Sequence, residues 1–177
     1  MKPLDYLDQL DSYLLYAPSL DEADVEKLIP MLRHHQPIIV ARAGQCLMNS
    51  DAHLDVLLKA LPTLPLVAQK IISLLITSSD KSPAFVTLLA LLRDTKNGEL
   101  ANLVIDGLCK TPYPIFPLLL ESLYSATAVF RGRLREVVTR MSAANVFPFL
   151  AIFPVIPYEA FFREALGDEA IEHIYQK

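Results

Sequence analysis

The chain has 177 residues, 53% of them hydrophobic and 20% charged, with a net charge of −4. That length suits one domain with a substantial core, and the apolar excess calls for burial in the fold or in a complex. The acidic balance argues against a nucleic-acid binder, which carries a basic stripe.

Apolar residues recur at helical spacing along the whole chain, and no segment alternates as a half-buried strand does. Leu4, Leu7, Leu10 and Leu14 mark one face of a first helix. This end is acidic: residues 1–33 hold Asp5, Asp8, Asp11, Asp21, Glu22, Asp24 and Glu26 against Lys2, Lys27 and Arg33, while the remainder is neutral. "SLDEADVEKLIPMLRHH" opens a second helix, with Ser19 or Asp21 as N-cap and acids in its first turn. Further helices are expected near 37–48, 51–61, 64–78, 83–94, 98–110, 114–124, 126–142, 144–153, 158–166 and 168–175. Prolines and small polar residues separate them. Asn97-Gly98 could close a hairpin, but its flanks have helical periodicity, so it reads as a helix–helix turn. Cys46 and Cys109 sit in apolar helical patterns and read as buried free thiols of a reducing compartment, with a disulfide as the alternative. Lacking a hydrophobic signal core in "MKPLDYLDQLD", the chain is expected in the cytoplasm.

A repeat runs through the chain. Cut every 31 residues, the segments open "DAHLDVLLKAL", "SPAFVTLLALL", "YPIFPLLLESL" and "ANVFPFLAIFP". Leu54, Phe85, Phe116 and Phe147 then share a column, as do Leu57, Leu88, Leu119 and Leu150. Residues 20–50 fit as an earlier repeat with one residue of slippage, and each segment carries a second helix. Such a helix pair cannot bury its apolar face alone, so neighbours stack and share a core. The alternative is an irregular bundle of similar helices.

The last segment, "FPFLAIFPVIPYEAFF", is more apolar than the middle of the chain. It is no membrane span, because Pro154 and Pro157 break it and Glu159 and Arg163 follow too soon. Phe147 and Leu150 belong to the repeat columns; Phe149, Phe153 and Ile156 do not. Either the final helices cover these residues, or they form an exposed docking or self-association patch.

No chemistry announces itself. His34, His35, Cys46 and His53 are the one near-cluster of metal-ligand types, and adjacent helical histidines point about 100° apart. No zinc spacing, phosphate loop or nucleophile elbow occurs. "FRGRLREVVTR" is the sole basic cluster, with Arg131 and Arg135 on one flank and Arg133, Glu136 and Arg140 on another, where Glu136 can pair with either arginine. Arg42 and Arg135 fall in one column of the 31-residue cut.

The helix-pair length, the Leu and Phe columns and "VARAGQCL" at 40–47, with its Arg-Ala-x-x-x-Leu spacing, resemble the HEAT-like repeats, especially the short versions of bilin-lyase-type proteins. The resemblance covers residues 20–166. It implies an all-α solenoid of about five antiparallel helix pairs in a right-handed superhelix. Residues 1–19 would cap it, 20–166 form the repeats, and 167–177 form a final helix, all in one domain. The expected function is a non-enzymatic protein-binding scaffold without cofactor. Contact would come from second helices, through Arg42, Gln69, Arg131 and Arg135, or from the apolar end, through Phe149, Phe153 and Ile156. The rivals are a lyase- or chaperone-like subunit acting on a chromophore- or cofactor-bearing protein, and a structural homo-oligomer such as a homodimer.

Overall fold

A computed structural model describes residues 9–13, 20–50, 52–123 and 125–141, together with 160, 163, 164 and 168. Among them every regular element is helical. In chain order the helices are α1 (Glu22–Met31), α2 (Pro37–Asn49), α3 (Leu54–Ala60), α4 (Leu66–Thr77), α5 (Ser82–Asp94), α6 (Gly98–Lys110), α7 (Phe116–Leu123) and α8 (Ala128–Arg140). A 3-10 turn, Leu61–Thr63, extends α3, and residues 9–13 are helical. Among the described residues no helix is long and apolar enough to cross a membrane. The expected helices at 144–153, 158–166 and 168–175, and with them a fifth pair, lie outside the described residues apart from four isolated positions.

Local chemistry sets the helix starts. Asp21 caps α1, its Oδ1 accepting from the Asp24 amide at 2.9 Å. Asn97 does the same for α6 through the Leu100 amide at 2.9 Å, and Thr127 for α8 through Phe130 at 3.3 Å. Each bond satisfies an amide that a helix start leaves orphaned. Asn97-Gly98 is therefore a helix–helix turn, as the flanking periodicity implied. Pro37 sits in the first turn of α2, where its missing N–H costs nothing.

Burial follows the repeat. In the first helix of each pair the buried positions are Val25, Leu28 and Leu32, then Leu54, Leu57 and Leu61, then Phe85, Leu88 and Leu92, then Phe116, Leu119 and Leu123. In the second helices they are Ile39, Ala43 and Leu47, then Ala68, Ile72 and Ile76, then Leu100, Val104 and Leu108, then Phe130, Leu134 and Val138. Burying each leucine or phenylalanine contributes about 1.5–3 kcal/mol.

These columns correct the strict 31-residue register. First helices recur after 29 residues (Leu28 to Leu57) and then after 31 (Leu57 to Leu88 to Leu119); second helices recur after 29, 32 and 30 (Ala43 to Ile72 to Val104 to Leu134). The earliest pair is thus two residues short, not one. The slack lies in the connections: Leu47 to Leu54 spans seven positions where Ile76 to Phe85 spans nine. Surface loops absorb length changes that packed helices do not tolerate.

Backbone contacts divide the chain into two compact units, Met1–Ile76 with Lys81–Thr87, and Thr77–Asp80 with Leu88–Lys177. In the first, α1 packs on α2 and α2 on α3. A Cβ on Gly44 of α2 would collide with Ile72 of α4, so those two helices approach closely. In the second unit, α6 and α7 both pack on α8.

Candidate functional site

The second helices α2, α4 and α8 carry four of the expected contact residues, and the structure gives them different surroundings. Arg42, half-buried on α2, has Nε 3.7 Å from Asp11 Oδ1, and its Nη1 donates to Gln45 Oε1 at 3.4 Å. Gln69 on α4 turns back to the end of the preceding helix. Its Nε2 donates to the carbonyls of Leu61 at 3.3 Å and Pro62 at 3.1 Å. Arg33 reaches the same turn, donating to the Thr63 carbonyl and to Thr63 Oγ1, each at 2.9 Å. The closing carbonyls of a helix need such partners.

On α8, Arg131 and Arg135 are exposed, and Arg135 pairs with Glu164. Arg133 donates to the Leu92 carbonyl, at the register position that Gln69 serves on Leu61. Glu136 pairs with Arg140. The burial columns match Arg42 to Arg133, one residue after Ala41 and Gly132, and not to Arg135. The two exposed arginines of α8 therefore have no counterpart on α2. Phe149, Phe153 and Ile156 lie outside the described residues.

An aliphatic surface that the sequence reading missed lies on α2 and α4. Ile38, Val67 and Leu74 are 48%, 57% and 51% exposed. Ile38 and Val67 each immediately precede the first buried column position of their helix, Ile39 and Ala68. Val67 and Leu74 are seven apart, and half-buried Ile71 lies between them on the same face. The matching position of α8 is Val129, 68% exposed, whereas α6 has Glu99. The signal was present in "LVAQKIISLLIT": Gln69, Lys70, Ser73 and Thr77 crowd one flank of the helix and leave an apolar arc wider than the core covers.

The described cysteines and histidines are held in local contacts. Burial pushes the thiols of Cys46 and Cys109 up to about 11 against the opposing pull of Arg42 and Arg140 respectively. Both are free thiols whose Sγ donates to a carbonyl, Leu10 at 3.7 Å and Val137 at 3.5 Å. His34 stacks on His35 with centroids 4.3 Å apart, and the Gln36 amide donates to His34 Nδ1 at 3.1 Å. His53 Nε2 lies 2.9 Å from the Leu20 carbonyl. Among the described residues no group of three or more His, Cys, Asp or Glu could hold a metal ion. Lys59 beside Asp55, and Arg93 beside Asp94, hold those carboxyls below their ordinary value.

No protein-family model, no curated protein and no solved structure matches this chain.

Proposed function

We propose that the chain is a non-catalytic protein-binding scaffold, built as a HEAT-like α-solenoid whose antiparallel helix pairs wind into a right-handed superhelix. The recurring burial columns support that architecture, as do second helices that neighbour one another within each unit, α2 with α4 and α6 with α8. Repeats of this kind present one helix of each pair to partners.

The single observation that carries the binding role is the aliphatic surface of Ile38, Val67 and Leu74. Scattered exposed apolar residues are ordinary; a set on neighbouring helices marks an interaction surface. Buried aliphatic anchors would supply affinity, and surrounding charges orientation and encounter rate.

Photo-crosslinking in the native host tests this. A photoreactive residue at Val67 should give discrete adducts that are absent when it replaces Val86, which is 54% exposed on the first helix α5. The same adducts from both positions would show that α2 and α4 are not the binding face.

A further inference from the structure

We infer that Asn97 is a site of spontaneous deamidation through the backbone amide of Gly98, and that the cap of α6 sets its rate. This covalent change is independent of the protein-binding reading.

Two dipeptides of the chain place a side-chain carbonyl immediately before a glycine, Asn97-Gly98 and Asp106-Gly107. Such a carbonyl can close a five-membered ring on the glycine nitrogen, because no Cβ shields that nitrogen. The structure separates the two. Gly107 lies inside α6, where its amide donates to the carbonyl four residues back, and a Cβ there would meet Thr77. Asp106 is tied to Lys110 Nζ at 2.7 Å. That backbone has no room to turn. Gly98 is the first residue of α6, where an amide has no intrahelical acceptor. It is exposed, and among the described residues nothing lies within 4 Å of an added Cβ. Its nitrogen is the accessible one.

The reaction consumes only water. The Gly98 amide gives its proton to solvent hydroxide, and the nitrogen attacks Cγ of Asn97. An N–Cγ bond forms, the Cγ–Nδ2 bond breaks, and Nδ2 takes a proton from water and leaves as ammonia. Water then opens the resulting succinimide. Cleavage of the N–Cγ bond gives aspartate. Cleavage of the bond from that nitrogen to the main-chain carbonyl carbon gives isoaspartate, in which the chain runs on through the former side chain.

The cap holds the first step back. Asn97 Oδ1 accepts from the Leu100 amide at 2.9 Å, and the Asn97 amide donates to Thr95 Oγ1 at 3.1 Å. Ring closure needs Cβ of Asn97 and the Gly98 nitrogen eclipsed about the Cα–C bond, whereas a ψ of 114° holds them far from that geometry. Reaching it breaks the cap bond and frays the first turn of α6. Helix ends open at low free energy, so the folded protein reacts slowly. The two products differ in effect. Aspartate caps as asparagine does and adds negative charge at the positive end of the helix. Isoaspartate puts an extra methylene into the backbone ahead of α6, which removes the capping oxygen from the Leu100 amide.

The test is peptide-mapping mass spectrometry of the full chain, aged in warm, mildly alkaline buffer with and without guanidinium chloride. The peptide holding residue 97 should gain the mass of amide-to-acid exchange and split into two chromatographic species. The native protein should react about tenfold or more slowly than the denatured one. Gly98→Ala, which the open surroundings accept, should suppress the change in both states. Thr95→Val, checked for unchanged circular dichroism, removes the acceptor of the Asn97 amide. It should speed the native reaction and leave the denatured one unchanged. No mass change at residue 97 in guanidinium overturns the site. Equal native and denatured rates overturn the role of the cap, as does a native rate that Thr95→Val leaves unchanged.

Discussion

Thr77 stands so close to Gly107 that a methyl group on the glycine would meet Thr77 Cγ2 at 2.7 Å and Cβ at 3.1 Å. The β-branched side chain is stiff, and its Cβ cannot move without the backbone of α4. Gly107→Ala gains about 1 kcal/mol of helix propensity, but overpacking costs about 1–3 kcal/mol. The expected outcome is net destabilisation, read as a lower urea midpoint with unchanged slope.

Gly132 on α8 is the converse case. Among the described residues nothing within 4 Å would meet an added Cβ there. Gly132→Ala should stabilise the protein by about 0.5–1 kcal/mol, because the glycine loses more backbone entropy on folding. The pair of substitutions separates glycines kept for close approach from one that is not, and urea titration of both checks it.

Ser73 is fully buried on α4, and its hydroxyl has no hydrogen-bond partner among the described residues. Burial without a partner carries a desolvation penalty of about 1–3 kcal/mol. Ser73→Ala should therefore leave stability unchanged or raise it by about 1 kcal/mol, unlike most core substitutions. A fall of the melting temperature by several degrees would contradict this account.

Gln69 and Arg133 are predicted to act on stability through carbonyls. Gln69→Leu removes the donor shared by the Leu61 and Pro62 carbonyls, and Arg133→Met removes the one on Leu92. Each should cost about 1 kcal/mol. Chemical denaturation gives the loss. Neither variant should change crosslinking from Val67, because neither side chain belongs to the exposed aliphatic set.

The thiols give a pH signature. With Cys46 and Cys109 pushed up to about 11, each has a thiolate fraction at pH 8 about a hundredfold below an ordinary thiol. Alkylation of the native protein should be slow and should become fast on denaturation. The folded state holds these protons more tightly than the unfolded one. Their contribution to stability is thus complete below about pH 9 and declines as pH rises toward about 11. Denaturation midpoints measured from pH 7 to pH 10 should fall most steeply above pH 9, and Cys46→Ala and Cys109→Ala should flatten that fall.

The helical class and the buried columns were legible because local rules report them. Leu54, Phe85 and Phe116 repeat at a constant 31 residues, and all three are buried. The caps at Asp21 and Asn97 are chosen within one turn, so sequence neighbours suffice to read them. Counting residues failed where loops intervene. The matching of Arg42 to Arg135 assumed a fixed period, whereas connections of unequal length bring Arg133 into that register.

By itself the amino-acid sequence determined the all-helical composition and the core-facing columns, since both follow from hydrophobic periodicity along a single helix. Tertiary structure alone decided which side chains are engaged and which stay exposed. Gln69 and Arg133 look like surface donors in sequence, but they are occupied by carbonyls about eight and forty residues away. Val67 and Leu74 look like core residues, but the core is already filled from the opposite side of α4 by Ala68, Ile72 and Ile76. Periodicity identifies apolar faces; only the packing of neighbouring helices tells which of two apolar faces is covered.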